Sequence, residues 1–418
     1  MSSMQTEPDS TAVSEAPSSD SDDSDCDPPT DPATIIDEEW AKELLRYTGE
    51  VNVSEVTCPQ VSVDVRIGVG GTLSRVVAVT INYECEGERK ILPVIVKLPP
   101  RDPFGRLFMA EAQFDTREIL FYTELAPVLD RLAEDIFGPG NGLHTVKCYR
   151  GIIPSMVGGE SELVLQDISH AGFESADLAE GLSEERARAA LYAAARLHAL
   201  SLALREKEGA LDDRFDFLFP CERAAAGYLR LIRRGLPQLE AFLRERTECI
   251  EEADAVAALS ARAPALLGTL LRPAEPAPIV HADFWCGNLQ FRERDGVTEC
   301  IVLDWQMVSL GRPMDDIALL LLSSLSPELR RAIGDNLIED YTQRLVSECT
   351  RLGATGAAGA MRRGLKADWP RAALRALLLC AGSVEMALGE PRAEARLLEA
   401  VRDLHADGVL DLKPDTET

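Results

Sequence analysis

Apolar side chains fall on every second position through the first third of the chain. Val61, Val63, Val65 and Ile67 alternate with Ser62, Asp64 and Arg66, and Val77, Val79, Ile81 and Tyr83 resume the pattern after a glycine-rich turn. Such alternation predicts strands with one buried face. Glu86, Gly87 and Glu88 make a polar hairpin tip, and the run ILPVIVKL over 91–98 predicts a third strand. Ahead of them, Asp37, Glu38 and Glu39 precede Trp40, Leu44 and Leu45, the pattern of a short amphipathic helix. A single helix is expected over 105–125, then strands over 146–149 and 162–166. After Asp167 the period becomes helical. Ser183 with Glu184 and Glu185 is a helix start, and Ala190, Leu197 and Leu204 recur at seven-residue spacing. Residues 222–272 predict more helices. A short β interruption is expected at 279–281, 289–292 and 300–305, and helices resume from Asp316.

The pattern divides the chain into three regions. Residues 1–34 hold nine Asp or Glu and no Lys or Arg. Such a segment buries too little apolar surface to offset chain entropy, so it is expected to be a disordered acidic tail. It reads as a solubilising tail, although Ser19 and Ser24, each with an acid three residues on, also suit an acidophilic kinase. Residues 35–166 form a small, mostly antiparallel sheet lobe, and 167–418 a large helical lobe.

Composition narrows the function classes. The chain has 418 residues, 46% hydrophobic, and a net charge of −27. A strongly acidic chain lacks the cationic face that nonspecific binding to nucleic acid or anionic membranes requires. No apolar run reaches the roughly 18 residues of a membrane span. The ten cysteines are scattered without a C-x-x-C pair, which predicts reduced thiols and a cytoplasmic protein.

The strongest chemical signal is H-x-D-x-x-x-x-N, from His281 through Asp283 to Asn288. In phosphoryl transfer an Asp orients the attacking hydroxyl and an Asn five residues on holds a metal. Asp304 ends the apolar run Cys300, Ile301, Val302, Leu303. A carboxylate there needs a partner, and Mg²⁺ takes one or two carboxylates plus substrate phosphates. Alone, Asp283 could cap a turn and Asp304 could end a strand; together they point to a phosphate–metal site. Upstream, Lys97 is one of seven lysines and sits inside an apolar strand, while Glu118 lies on the apolar stripe of Phe114, Phe121 and Leu125. Each needs the other's charge, so a Lys97–Glu118 ion pair is expected. Gly68, Gly70 and Gly71 link the first two strands and allow close backbone approach to phosphates. The absence of G-x-x-x-x-G-K-[ST] excludes a P-loop.

The order of glycine-rich turn, strand Lys, helix Glu, H-x-D-x-x-x-x-N and strand Asp is the protein-kinase-like plan, which predicts a two-lobed α+β fold. No Phe-Gly follows Asp304 and no A-P-E segment comes after it, which argues against a protein kinase. From about Ile67 to Leu322 the sequence resembles the ecdysteroid-kinase-like branch of the choline kinase and aminoglycoside phosphotransferase group. The resemblance rests on Val96 to Pro99, Glu118 to Tyr122, Leu163 to Ile168, Gly172-Phe173, Leu197-His198-Ala199, His281 to Asn288 and Leu303 to Gln306. Ala282 stands where the family usually has glycine, Gly287 where asparagine is common, and the glycine-rich turn lacks the usual Asn-Tyr. The resemblance implies an ATP- and Mg²⁺-dependent kinase of a small-molecule hydroxyl, whether ecdysteroid or other sterol, choline-like amine or foreign alcohol. It implies Asp283 as base, Asn288 and Asp304 as Mg²⁺ ligands, and Lys97 on the phosphates, held by Glu118. Gln166, Asp167 and Ile168 would form the hinge that receives adenine, and Asp316 would brace the 281–288 loop. His198 reads as a hydrogen-bonded core histidine. Trp285 and Trp305 flank the site and could pack on an acceptor or in the core. A non-catalytic ligand- or partner-binding protein on the same fold is the alternative.

Overall fold

The computed structural model describes residues 36–48, 57–64, 74–85, 87–154, 160–218 and 225–414. The acidic tail with Ser19 and Ser24, and the glycine-rich turn with Gly68, Gly70 and Gly71, lie outside the described residues.

A five-stranded antiparallel sheet in the order β1-β2-β3-β5-β4 forms the smaller lobe. Its strands are β1 (Thr57–Asp64), β2 (Arg75–Cys85), β3 (Glu88–Leu98), β4 (Cys148–Ile152) and β5 (Glu162–Gln166). The alternation read over Val77 to Tyr83 is the burial pattern of β2, while the side chains of Val61, Val63, Val65 and Ile67 lie outside the described residues. Val77, Val79, Ile81 and Tyr83 are buried, with Val94, Val96 and Leu98 of β3, against α1 (Glu38–Thr48). Trp40 of α1 donates its indole N–H to Glu162 (2.7 Å), which also accepts from Arg150 Nε (2.7 Å). The opposite face of β2 and β3 carries Val76, Ile95 and Lys97 into the central cavity. Strand period fixes this division: one face takes the core and the other takes the site.

The single helix expected over 105–125 is broken into segments. Helix α2 (Pro103–Ala112) is capped by Asp102, whose carboxylate accepts from Gly105 N (2.6 Å). Gln113 then takes a left-handed conformation (φ 54°) and ends it. Helix α3 (Phe114–Leu120) restarts at once, runs into a π turn at Phe121–Leu125 and continues as α4 (Ala126–Phe137). Within the π turn Thr123 Oγ1 donates back to Ile119 O (2.8 Å), a bond that loosens the helical ladder.

The larger lobe is helical. Helix α5 (Glu184–Glu208), capped by Ser183 as expected, is its central shaft and is buried along most of its length. Around it lie α6 (Ala225–Arg244), α7 (Ile250–Leu270), α8 (Pro313–Ser324), α9 (Pro327–Arg351), α10 (Thr355–Gly364), α11 (Trp369–Gly382) and α12 (Pro391–Ala406). One apolar core joins them to α4 and β5. Two small sheets interrupt the helices. One pairs β7 (Ile279–Val280) with β10 (Ser309–Leu310). The other orders β6 (Glu174–Ser175), β8 (Leu289–Arg294) and β9 (Val297–Val302). Asp295 and Gly296, both at positive φ, turn β8 into β9; their Asp-Gly pair is a hairpin signal that moves β9 three residues upstream of the strand expected at 300. Among the described residues no helix is long and apolar enough to cross a membrane, and the cysteines are free thiols.

Candidate functional site

One cavity of about 1390 Å³ opens between the lobes and reaches deep into the helical one. Its lining gathers Lys97, Glu118, Gln166, Asp167, Ile168, Asp283, Asn288 and Asp304, which are far apart in sequence.

Lys97 occupies the cavity-facing side of β3, paired across the ladder with Val76 and Leu163. Its ammonium donates to Glu118 Oε2 (2.6 Å) and to Asp304 Oδ1 (2.8 Å). Burial disfavours the Lys97 charge, but the two carboxylates outweigh it and hold the pKa above the ordinary lysine range. Burial pushes Glu118 up, and the nearby Asp304 charge adds to this; Lys97 opposes both. Glu118 also accepts from Trp305 N (3.3 Å), so it ties the strand to the turn after β9. Its neighbour Arg117, buried, donates to Met307 O (3.3 Å) and to Val308 O. Arg117 was not a sequence candidate. Its buried position beside Glu118 on α3 gives it the same task, holding the 304–308 segment.

Asp304 lies two residues beyond β9, in a left-handed conformation (φ 63°) that directs its carboxylate back to Lys97. The strand-end placement expected from sequence is therefore a strained turn, sparsely populated by residues other than glycine and enriched in Asp.

Residues 281–288 form a loop between β7 and β8. His281 donates from Nε2 to Leu303 O (2.9 Å), and its Nδ1 accepts from Asp283 N (3.3 Å). Asn288 Nδ2 donates to the backbone oxygen and to Oδ2 of Asp283 (2.9 Å each). This leaves the Asn288 amide oxygen without a partner among the described residues. Burial raises the Asp283 pKa; the Asp304 charge reinforces this, while His281 and Asn288 offset some of it.

Helix α8 carries this loop at two points. Asp316, wholly buried, accepts from His281 N (2.8 Å), Ala282 N (2.9 Å) and His198 Nε2 (3.1 Å). His198 in turn accepts the Tyr341 hydroxyl at Nδ1 (2.7 Å), so it is a satisfied core histidine. Burial alone would raise the Asp316 pKa, but the bonds from His198 and His281 hold it below the usual aspartate range. About two turns further, Ser324 Oγ accepts from Cys286 N (2.9 Å). Ser324 was not foreseen from the sequence; its spacing from Asp316 along one helix is the only local sign. Ala282 sits at φ 65°, which accounts for the glycine that the motif more commonly carries.

The two tryptophans divide. Trp305 is buried and stacks on Phe121 (centroids 3.9 Å, 10° between planes), which makes it core. Trp285 is half-buried and lines the cavity. A Cβ on Gly287 would meet its ring at 2.4 Å, so glycine here lets the indole fold back over the loop.

At the hinge, Gln166 N donates to Lys147 O (2.9 Å) and Asp167 N to Pro93 O (3.3 Å). Asp167 caps the following turn, accepting from Ser169 N (3.0 Å) and Ser169 Oγ (2.6 Å). The Ile168 amide has no partner among the described residues and is the donor this edge can offer a ligand.

Asp283, Asn288 and Asp304 give the cavity hard oxygen donors close to an ammonium. Among the described residues no cluster of three or more His, Cys, Asp or Glu could hold a metal alone. That donor set suits Mg²⁺, which completes its shell with water and substrate phosphate.

The model of the ecdysteroid kinase-like family matches residues 70–354. No curated protein matches by sequence. Among solved structures, Plasmodium vivax ethanolamine kinase is similar at 12% identity and TM-score 0.41, over 90% of this chain and 91% of that one. Choline kinase from Cryptosporidium parvum Iowa II is similar at 14% identity and TM-score 0.44, over 90% and 98%.

Proposed function

The chain belongs to the ecdysteroid kinase-like family, and on that premise we propose that it transfers the γ-phosphoryl group of ATP to the hydroxyl of an uncharged, largely apolar small molecule. The observation that carries this is the continuity of the cavity. It runs from the Lys97–Glu118 pair and the Ile168 amide, past Asp283, into an apolar chamber lined by Leu231, Leu319, Leu322, Leu378, Met386 and Leu397.

In this reading Val76 and Ile95 cover a purine from above and Leu303 lies beneath it, with its edge on the hinge. Lys97 bears on the phosphate oxygens and Glu118 keeps the ammonium in place. Asn288 and Asp304 hold Mg²⁺, which neutralises charge on the phosphates when bound. Asp283 accepts the acceptor's proton as its oxygen bonds the γ-phosphorus and the bond to the bridging β–γ oxygen breaks, releasing ADP. The bonds from Asp316 and Ser324 fix the loop, so Asp283 reaches the acceptor without reorganising.

The chamber's charges support an uncharged acceptor. Glu385 pairs with Arg234 (2.9 Å) and Glu111 with Arg230 (2.7 Å), both at the exposed rim. Glu390 caps α12 by accepting from Ala393 N (2.6 Å). Arg396 donates to the carbonyls of Ser323 (3.1 Å) and Ala179 (2.6 Å). Of the three carboxylates that line the cavity away from the hinge, the 281–304 segment and the Lys97 pair, Glu111 and Glu385 already pair with arginines and Glu390 gives one oxygen to a helix cap, which favours an acceptor without a cation over choline-like amines.

Asp283→Asn is the test. Turnover should fall about a hundredfold or more while Mg²⁺-dependent ATP binding by calorimetry persists. Near-normal turnover by the variant would refute the base assignment. Faster Mg²⁺-dependent ATP consumption with choline than with apolar alcohols would refute the acceptor class.

A further inference from the structure

Gln290 is not used by the reading above. It is the second residue of β8, two after Asn288, and the strand's alternation separates its neighbours from it: Leu289 and Phe291 are buried in the core, while Gln290 is half-buried and lines the cavity. Its amide oxygen is buried and has no hydrogen-bond partner among the described residues. Directly across the antiparallel ladder stands Ser175 of β6, which also lines the cavity, as does Ser169 just after the hinge. These polar groups line the same cavity as Val76, Ile95, Gln166, Asp167 and Ile168. A buried amide oxygen without a donor costs free energy that a ligand hydrogen bond recovers.

We propose that Gln290 determines nucleoside specificity, its amide accepting a hydrogen bond from a donor on the bound nucleoside, either a ribose hydroxyl or the purine's exocyclic amine. This rests on the nucleotide site proposed above and adds a contact to it. An apolar side chain at this position would support the base by packing alone and accept nucleosides with or without the donor. The amide makes a missing donor costly, because it then stays buried and unpaired.

The test is calorimetric titration of the full chain with ATP, 2′-deoxy-ATP, 3′-deoxy-ATP and purine riboside triphosphate, all with Mg²⁺ and no acceptor. Wild type should bind one of the three analogues about tenfold more weakly than ATP, a difference of about 1.4 kcal/mol. The analogue that loses affinity identifies the donor. Gln290→Met should bind ATP about as weakly as wild type binds that analogue, and should no longer separate the two. Its melting temperature without nucleotide, close to that of wild type, shows that the strand is intact; should the variant not fold, the wild-type series decides alone. Equal binding of all four nucleotides by wild type, or discrimination retained in Gln290→Met, overturns the inference and leaves the nucleotide site standing. Failure of wild type to bind any of them at millimolar concentration overturns the nucleotide reading, and this inference with it.

Discussion

Replacing Asp316 by asparagine isolates the brace on the 281–288 loop. The side chain keeps its shape but loses its charge and one acceptor. With the amide oxygen in the place of Oδ2 it still serves His281 N and His198 Nε2, now as a neutral acceptor. Its NH₂ then faces Ala282 N–H, which sits 2.9 Å from Oδ1 in the native protein. Two donors oppose each other in a site with no solvent access. An orphaned buried N–H costs about 1–3 kcal/mol, and weakening two charge-assisted bonds adds about 1 kcal/mol each, so the expected loss is about 3–5 kcal/mol. Urea unfolding followed by tryptophan fluorescence reads this directly, since Trp305 packs on His281 (centroids 4.8 Å). At a slope of about 3 kcal/mol/M the midpoint should fall by about 1–1.7 M. Tyr341→Phe is the control. It removes only the hydroxyl on His198 Nδ1, leaves the loop amides paired, and should cost about 1 kcal/mol. The native Asp316 pKa lies below its unfolded value of about 3.9, so its contribution is complete above that pH and is lost as pH falls through the native value. The asparagine variant should therefore show a shallower acid limb. A midpoint within about 0.2 M of wild type would refute the brace.

Two further substitutions test the backbone. A Cβ on Gly235 of α6 would lie 1.7 Å from Ala381 O of α11, so Gly235→Ala must push these helices apart by more than an ångström; the expected loss is about 3 kcal/mol. Both helices line the inner chamber, so the acceptor KM should rise while ATP affinity holds, and an unchanged melting temperature would refute the close crossing. Ala282→Gly relieves a left-handed alanine, worth about 1–2 kcal/mol, against about 0.5–1 kcal/mol of added chain entropy, so the midpoint should stay level or rise. A clear fall in the urea midpoint would show that the loop conformation carries no strain.

Much of this architecture was legible because it is written in short-range terms. Val77, Val79, Ile81 and Tyr83 alternate in the sequence and share one buried face in the sheet. Ser183 starts the long helix where its side chain predicts. The Lys97–Glu118 pair follows from two charges placed on apolar surfaces, and the structure sets them 2.6 Å apart. Other features were hidden for stated reasons. The stretch 105–125, with its stripe of Phe114, Glu118, Phe121 and Leu125, looks like one helix because periodicity records which side faces inward, not whether the hydrogen-bond ladder is continuous. Gln113 breaks it and Thr123 loosens it without disturbing that side. Strand ends at 148 and 297 were missed by two or three residues, where turn chemistry rather than hydropathy sets the boundary.

The sequence by itself determined the order of elements, the buried faces and the residue types able to handle phosphate, metal and proton, because each depends on spacing within a few turns or strand positions. The tertiary structure alone decided how those residues are aimed. The resemblance implied Asp316 as a brace, but only packing sets it beneath the two loop amides it accepts from and adds Ser324 of the same helix as a second support. It puts Trp305 in the core and Trp285 at the cavity, and it leaves Ile168 as the hinge amide without a partner among the described residues. It also leaves the Gln290 amide facing a cavity. These are long-range contacts, and a linear pattern of apolar and polar positions does not encode which distant surfaces will meet.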